Sequence, residues 1–204
     1  MAESKPKKRR SRNSLSRAEI LQAALSIIQE SGIESLSMRT IARKLNCSVA
    51  SPYAYFQNRD DIIKELISNG EEILTRDLKK AQKSSQDVFE QLTAIAHTYW
   101  NFAVANRELH KLMFNTLGPS TGKVFRYYPK SYKLFLETLK HGTQTGKIKF
   151  SKAGYHAIAR TMWAWIYGLL VLELTGLLQR RNKNSDPVEE GVYFFLKLLK
   201  QGEA

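Results

Sequence analysis

Apolar residues along this chain recur at intervals of three and four, the spacing that lines one face of an α-helix. From Arg17 to Ser31 they fall at Ile20, Ala24, Ile27 and Ile28, and Gly32 follows where a left-handed residue ends helices. Ser37 is a good N-cap for the next helix, which places Met38, Ile41, Ala42 and Leu45 on one face. Asn46, which tolerates a left-handed backbone, ends it. A short helix runs to about Phe56, and Gln57-Asn58-Arg59-Asp60 breaks it. Asp60 is expected to cap a longer helix to about Ala81, with Ile62, Ile63, Leu66, Ile73 and Leu74 inward.

The pattern continues with helices from Ser84 or Ser85 to about Asn106, Arg107 to about Leu117, and Val124 to about His141. A long helix is expected from Ser151 to about Leu178, and a last one from Asp186-Pro187 to about Lys200. Proline is suited to a first helical position, where its missing N–H is not needed. No segment reads as a strand, a hairpin or a fixed-period repeat. The predicted architecture is all-α with roughly nine helices.

Charge changes this picture at one end. Residues 1–16 carry Lys5, Lys7, Lys8, Arg9, Arg10 and Arg12 among Pro and Ser with few apolar residues, the composition of a disordered basic arm. Over 204 residues, 32 Lys and Arg against 19 Asp and Glu leave a net charge of +13, which concentrates polyanions around the molecule. Nucleic acid and anionic membrane surfaces are the partners such a balance suits. Met162 to Leu178 is the one stretch resembling a membrane span. It contains Glu173 and two glycines and lies at the short end of what a bilayer needs, so it reads as a buried helix. No apolar signal segment follows the charged N-terminus. A single cysteine, Cys47, rules out an internal disulfide framework and fits a reducing cytoplasm.

The informative stretch is Leu36 to Phe56. Two short amphipathic helices are joined by Asn46-Cys47-Ser48, with Ile41, Ala42 and Leu45 facing Cys47, Tyr53 and Phe56 as a hydrophobic lock. Such a helix-turn-helix offers the second helix's outward side chains to a major groove, although similar pairs also occur as plain packing units.

Residues Ile20 to Ile67 resemble the N-terminal domain of the TetR family of bacterial transcriptional regulators. The resemblance rests on the first helix's stripe, the Gly32 break, the block Leu36-Ser37-Met38-Arg39-Thr40-Ile41-Ala42 and the ending Tyr53-Ala54-Tyr55-Phe56-Gln57-Asn58-Arg59-Asp60. The family commonly has Gly-Val-Ser at the turn, where this chain has Asn46-Cys47-Ser48. Pro52 before the tyrosine resembles a subgroup with a C-terminal Trp-x-x-x-His-Gly segment followed by Leu-Glu. Here Trp163-Ala164-Trp165-Ile166-Tyr167-Gly168 and Leu172-Glu173 stand in that place, with tyrosine for histidine.

The resemblance implies a sequence-specific DNA-binding homodimer, in most of the family a repressor released by a small-molecule effector. It divides the chain into the arm (1–16), a DNA-binding domain (17–60) and a ligand-binding and dimerisation domain (61–204). Ser37, Arg39 and Thr40 would hold a phosphate at a helix start. Ser48, Val49, Ala50 and Ser51 would meet base edges, Val49 and Ala50 suiting a thymine methyl. Tyr53 and Tyr55 would touch phosphates or bases, with Tyr53 equally suited to partial burial. Arg59 would clamp a phosphate or stand as a solvated charge. Lys7, Lys8, Arg9 and Arg10 would follow the backbone or a narrow minor groove; Lys-Lys-Arg-Arg also has the composition of a nuclear localisation signal.

In the larger domain, Trp100, Met113, Phe114, Tyr127, Tyr128 and Trp165 are candidate effector contacts. Trp163, Ile166, Leu170 and Leu177, with Val192, Phe195 and Leu199 on the last helix, are candidates for pairing two copies. Glu173 needs a partner if buried. The four histidines show no metal-ligand spacing, and no cofactor or metal is expected. No P-loop, dinucleotide-binding glycine pattern or nucleophile-base arrangement is present, so the reading is not an enzyme. A membrane-surface protein and an architectural DNA-binding protein without effector are the competing classes.

Overall fold

A computed structural model describes residues 15–114, 129–149, 154–179 and 184–201. Among them the secondary structure is nine α-helices and one short 3-10 turn, with no strand. The chain runs α1 (Arg17–Ser31), a 3-10 turn (Ile33–Ser35), α2 (Met38–Lys44), α3 (Ala50–Tyr53), α4 (Arg59–Gln82), α5 (Val88–Ala105), α6 (Arg107–Phe114), α7 (Lys130–Gln144), α8 (Gly154–Leu174) and α9 (Pro187–Gln201).

Helices α1, α2, α4, α5 and α9 start where side chains satisfy free N–H groups of a first turn. Ser16 and Glu19 form a reciprocal capping box on α1. Asp87 accepts from Phe89 and Glu90 N–H at the start of α5, two residues later than the serines suggested. Asp186 accepts from Val188 and Glu189 N–H at the start of α9. The cap of α4 is Asn58, whose Oδ1 accepts from Asp61 N–H at 3.0 Å; the expected cap, Asp60, lies two residues further on, inside the first turn.

Helix ends differ where tertiary packing overrides a local signal. Helix α7 runs past Gly142, because Ile148 and Val88 pack over that glycine. A Cβ there would come within 2.6 Å of Ile148 Cδ1 and 2.9 Å of Val88 Cγ2. Helix α8 stops at Leu174, four residues early, because Gly176 adopts φ +73° and Leu177 N–H bonds back to the Leu172 carbonyl at 2.8 Å. In α4, Ile73 is exposed while Leu74 is fully buried, so the inward face is rotated from the one expected.

Two compact units emerge, and the division falls inside α4 after Gly70. The first comprises α1–α3, the start of α4 and residues 108–114 of α6. Its core is Ile20, Ala24, Ile28, Leu36, Ile41, Ala42, Phe56 and Ile62, with Met113 and Leu109 seated against Gly70. The second comprises the rest of α4, α5 and α7–α9, in which α5 packs on α7, α8 and α9. Leu78, Leu92, Leu139, Ile148 and Leu170 are fully buried there. The first unit continues ten residues beyond the boundary drawn from sequence, because α4 has no break near residue 60 and its first three turns belong to the small core.

Candidate functional site

The turn between α2 and α3 is built by backbone bonds. Asn46 takes φ +53°, its N–H reaches the Arg43 carbonyl at 3.2 Å, and Cys47 N–H reaches the Ala42 carbonyl at 3.0 Å. This pairing satisfies the last carbonyls of α2 and reverses the chain tightly. Asn46 therefore does what a glycine does at this position, at a small conformational cost.

At the other end of α2, Ser37 Oγ accepts Thr40 N–H at 3.0 Å, and Thr40 Oγ1 accepts Ser37 N–H at 2.8 Å while lying 2.9 Å from the Ser35 carbonyl. Both hydroxyls are thus committed to the fold. Arg39, between them, is exposed.

Helix α3 presents an outward surface. Val49 is 45% exposed, Tyr53 is 54% exposed, and Ala50 is exposed beside them. Ser48 and Ser51 share a hydroxyl–hydroxyl hydrogen bond of 2.8 Å and are half-buried. Pro52 is buried, and Phe56 is 3% exposed. The inward lock of this helix is therefore Pro52 and Phe56; Tyr53, which periodicity allowed on either side, points out. Pro52 loses no helical bond by sitting in the first turn.

Two residues assigned to DNA by resemblance are occupied elsewhere. Tyr55 donates its hydroxyl to the Leu15 carbonyl, and its own carbonyl accepts from Arg17 Nη1 at 2.6 Å. Arg17 also pairs with Glu65 and lies 4.2 Å over the Phe56 ring, so this group ties α1 to α4. Arg59 turns inward: Nη2 donates to the Ile33 carbonyl at 2.6 Å, and its buried Nε has no partner. The guanidinium thus stitches the start of α4 to the 3-10 turn, as a second donor to a carbonyl that already accepts from Leu36 N–H at 3.1 Å. Lys7, Lys8, Arg9 and Arg10 lie outside the described residues.

The second unit holds an apolar cavity bounded by α4, α5, α7 and α8, with about 410 Å³ of empty space, part of it open to solvent. That space is mostly narrow crevice. Its wall includes Tyr99, Phe135, Trp163 and Trp165. Of the candidate effector contacts, Trp165 lines it. Trp100 does not, and Met113 and Phe114 belong to the first unit, where Met113 is core and Phe114 stacks beside His110. Tyr127 and Tyr128 lie outside the described residues. Tyr99 and Phe135 carry no individual signal in the sequence, since each also fits an ordinary core position, and Trp163 reads there as a pairing residue.

The pairing candidates are corrected by burial. Ile166, Leu170, Val192 and Leu199 are buried within the unit, so they hold α8 and α9 to their own chain. Trp163 stacks with Tyr99 and Tyr132, and Phe195 with Trp165. Leu177 alone of the seven is largely exposed, at 67%. The exposed apolar residues on and beside these helices are instead Val171, Leu172, Tyr193, Phe194 and Leu198. Both sides of α8 and α9 are apolar, so spacing could not say which side the chain covers itself. By length and a mean hydropathy of 1.3, α8 is also long and apolar enough to cross a membrane. Among the described residues no group of His, Cys, Asp or Glu is arranged to hold a metal.

This geometry has clear relatives. Residues 20–66 match the model of bacterial regulatory proteins of the tetR family, and residues 92–192 match the tetracyclin repressor-like C-terminal domain. The HTH-type nicotine-responsive transcriptional repressor HdnoR of Paenarthrobacter nicotinovorans is 32% identical over 81 residues. That match spans 40% of this chain and 40% of the repressor. A solved protein of unknown function from Rhodococcus sp. RHA1 superposes with a TM-score of 0.77 at 25% identity, covering 94% of this chain and all of that one. The transcriptional regulator FadR of Bacillus subtilis, solved with stearoyl-CoA, shares the fold with a TM-score of 0.67 at 19% identity, covering 93% of this chain and all of that one. With its reading head and its larger helical unit each matched by a model from the same family, the chain belongs to the TetR family of DNA-binding transcriptional regulators, proteins built to control genes rather than to catalyse reactions.

Proposed function

We propose that this chain is a cytoplasmic homodimer that represses transcription from an inverted-repeat operator until a small molecule enters the second unit's cavity. The observation that carries the reading is the outward set Arg39, Val49, Ala50 and Tyr53 on a head whose turn and caps are already satisfied. Val49 and Ala50 suit thymine methyls, the Ser48–Ser51 pair offers hydroxyls to base edges, and Arg39 and Tyr53 suit phosphates. Residues 7–10 add charge along the backbone, and each phosphate neutralised steepens the salt dependence by roughly 0.9.

Two heads on a two-fold axis read half-sites about 34–36 Å apart, or a multiple of that. The exposed strip of Val171, Leu172, Tyr193, Phe194 and Leu198 is the surface on which two copies pair. An effector acts by binding the DNA-competent and DNA-incompetent states with different affinity. The nicotine-responsive relative and the acyl-CoA-bound neighbour support control by an organic small molecule.

Selection of bound sequences from a random duplex pool by the purified chain tests this. Enrichment of an inverted repeat is the expected result. Uniform retention of all sequences would make the chain an architectural DNA-binding protein, and no retention would remove the DNA assignment.

A further inference from the structure

The strongest unexplained feature of the second unit is a carboxyl group. Glu71 is 1% exposed; its Oε1 accepts from Ser131 Oγ at 3.2 Å, while its buried Oε2 has no hydrogen-bond partner. A buried carboxyl oxygen left without a partner is costly, by several times the net worth of an ordinary hydrogen bond when the group is charged. Burial pushes this carboxyl above its usual range, opposed by the backbone N–H and hydroxyl of Ser131 and by the backbone N–H and charge of Lys130 at the start of α7. Burial above all, then Tyr167 and lastly the Glu71 charge, holds the Tyr99 phenol of the cavity wall protonated.

Ser131 and Tyr99 both line the apolar cavity, and the carboxyl stands directly behind Ser131. The remaining wall is rich in aromatic rings, Phe135, Trp163 and Trp165 among them, and Trp163 packs its ring 5.0 Å from that of Tyr99. Aromatic faces carry negative potential that attracts ammonium groups, and the attraction grows when both are shielded from water. An anionic ligand would meet the same faces and the same carboxylate as repulsion.

Resting on the effector reading above, we infer that the cavity takes a compact apolar amine, whose ammonium or N–H group reaches Glu71 between Ser131 and Tyr99 while its apolar body lies among the rings. The narrowness of the space selects flat or slender bodies, and opening it requires Trp165 or Trp163 to shift.

Three matched probes test the assignment on the full chain: 4-phenylbutylamine, 4-phenylbutanol and 4-phenylbutyrate, titrated by intrinsic tryptophan fluorescence and by calorimetry. The amine is expected to bind at least tenfold more tightly than the alcohol, with the carboxylate weakest. In Glu71→Gln the amine should fall to the level of the alcohol, whose own affinity stays unchanged. Should that variant fail to fold, the ranking within the unsubstituted protein still decides. Equal binding of amine and alcohol, tighter binding of the carboxylate, no binding of any probe, or a preference that survives Glu71→Gln each overturns the inference. Any of these alongside successful enrichment of an inverted repeat leaves the regulator reading standing, whereas loss of that enrichment with amine preference intact removes the regulator reading alone.

Discussion

The indole of Trp165 lies directly on the backbone of Gly191: a Cβ added to that glycine would meet Trp165 Cζ2 at 1.9 Å. The contact lets α8 and α9 approach with the indole alone filling the space at this position, and Phe195 flanks it at a ring separation of 5.1 Å. Gly191→Ala therefore forces the ring or the helix to move. Overpacking of this kind costs about 1–3 kcal/mol, more than the ~1 kcal/mol that alanine gains over glycine in helix propensity. The urea midpoint should fall; an unchanged or raised midpoint would mean that the indole swings aside freely.

Arg59 is a folding residue. Its bond to the Ile33 carbonyl is charge-assisted and partly buried, so Arg59→Ala should destabilise the first unit by about 1.5–3 kcal/mol. Thermal unfolding of the substituted chain measures it. A phosphate clamp would behave in the opposite way, leaving stability intact and lowering the salt slope of DNA binding by roughly 0.9.

Phe194 and Leu170 separate pairing from folding. Phe194 is 58% exposed, so Phe194→Glu should leave the fold of one chain intact, shift sedimentation toward monomer and weaken inverted-repeat binding by roughly 10²-fold or more. Leu170 is fully buried, and Leu170→Ala should cost about 2–5 kcal/mol of stability. A dimer that survives Phe194→Glu would place the interface elsewhere.

His110 gives the first unit a pH dependence. Burial pushes its pKa down to about 4, whereas in the unfolded chain it titrates near ~6.5. Between those values the unfolded state holds the extra proton, so stability rises with pH in that window. The contribution is complete above about pH 6.5 and is lost progressively toward pH 4, to a total of roughly 3 kcal/mol. His110→Gln should flatten the stability profile between pH 4 and 6.5 relative to the parent chain. Parallel profiles would show that the imidazole is hydrated in the native state.

Much of this was legible in advance where one residue dictates one backbone event. Ser37 as a cap, Asn46 as a left-handed turn and Asp186-Pro187 as a helix start all depend on neighbours within a few positions. The head was legible for the same reason: its inward positions Ile41 and Ala42 have only one core to face. Periodicity failed where a side chain had two plausible partners. Arg59 can reach a phosphate or a carbonyl, and only the position of Ile33 decides. Tyr55 can meet DNA or the segment before α1, and Leu15 decides. On α8 apolar residues surround the helix and on α9 they cover more than one core-facing stripe, so which of them face α5 and which face water depends on tertiary placement. Glu71 gave no signal at all, because its meaning comes from Ser131, sixty positions away.

The inward bonding of the head also bears on how such proteins diverge. Val49, Ala50 and Tyr53 turn outward, while Ser37, Thr40, Asn46 and Arg59 hold the shape on which they stand. On the proposed reading, vocabulary and grammar are carried by different residues: a lineage would acquire a new target by drift at outward positions such as Val49 and Ala50 while the bonds that define the scaffold are inherited untouched.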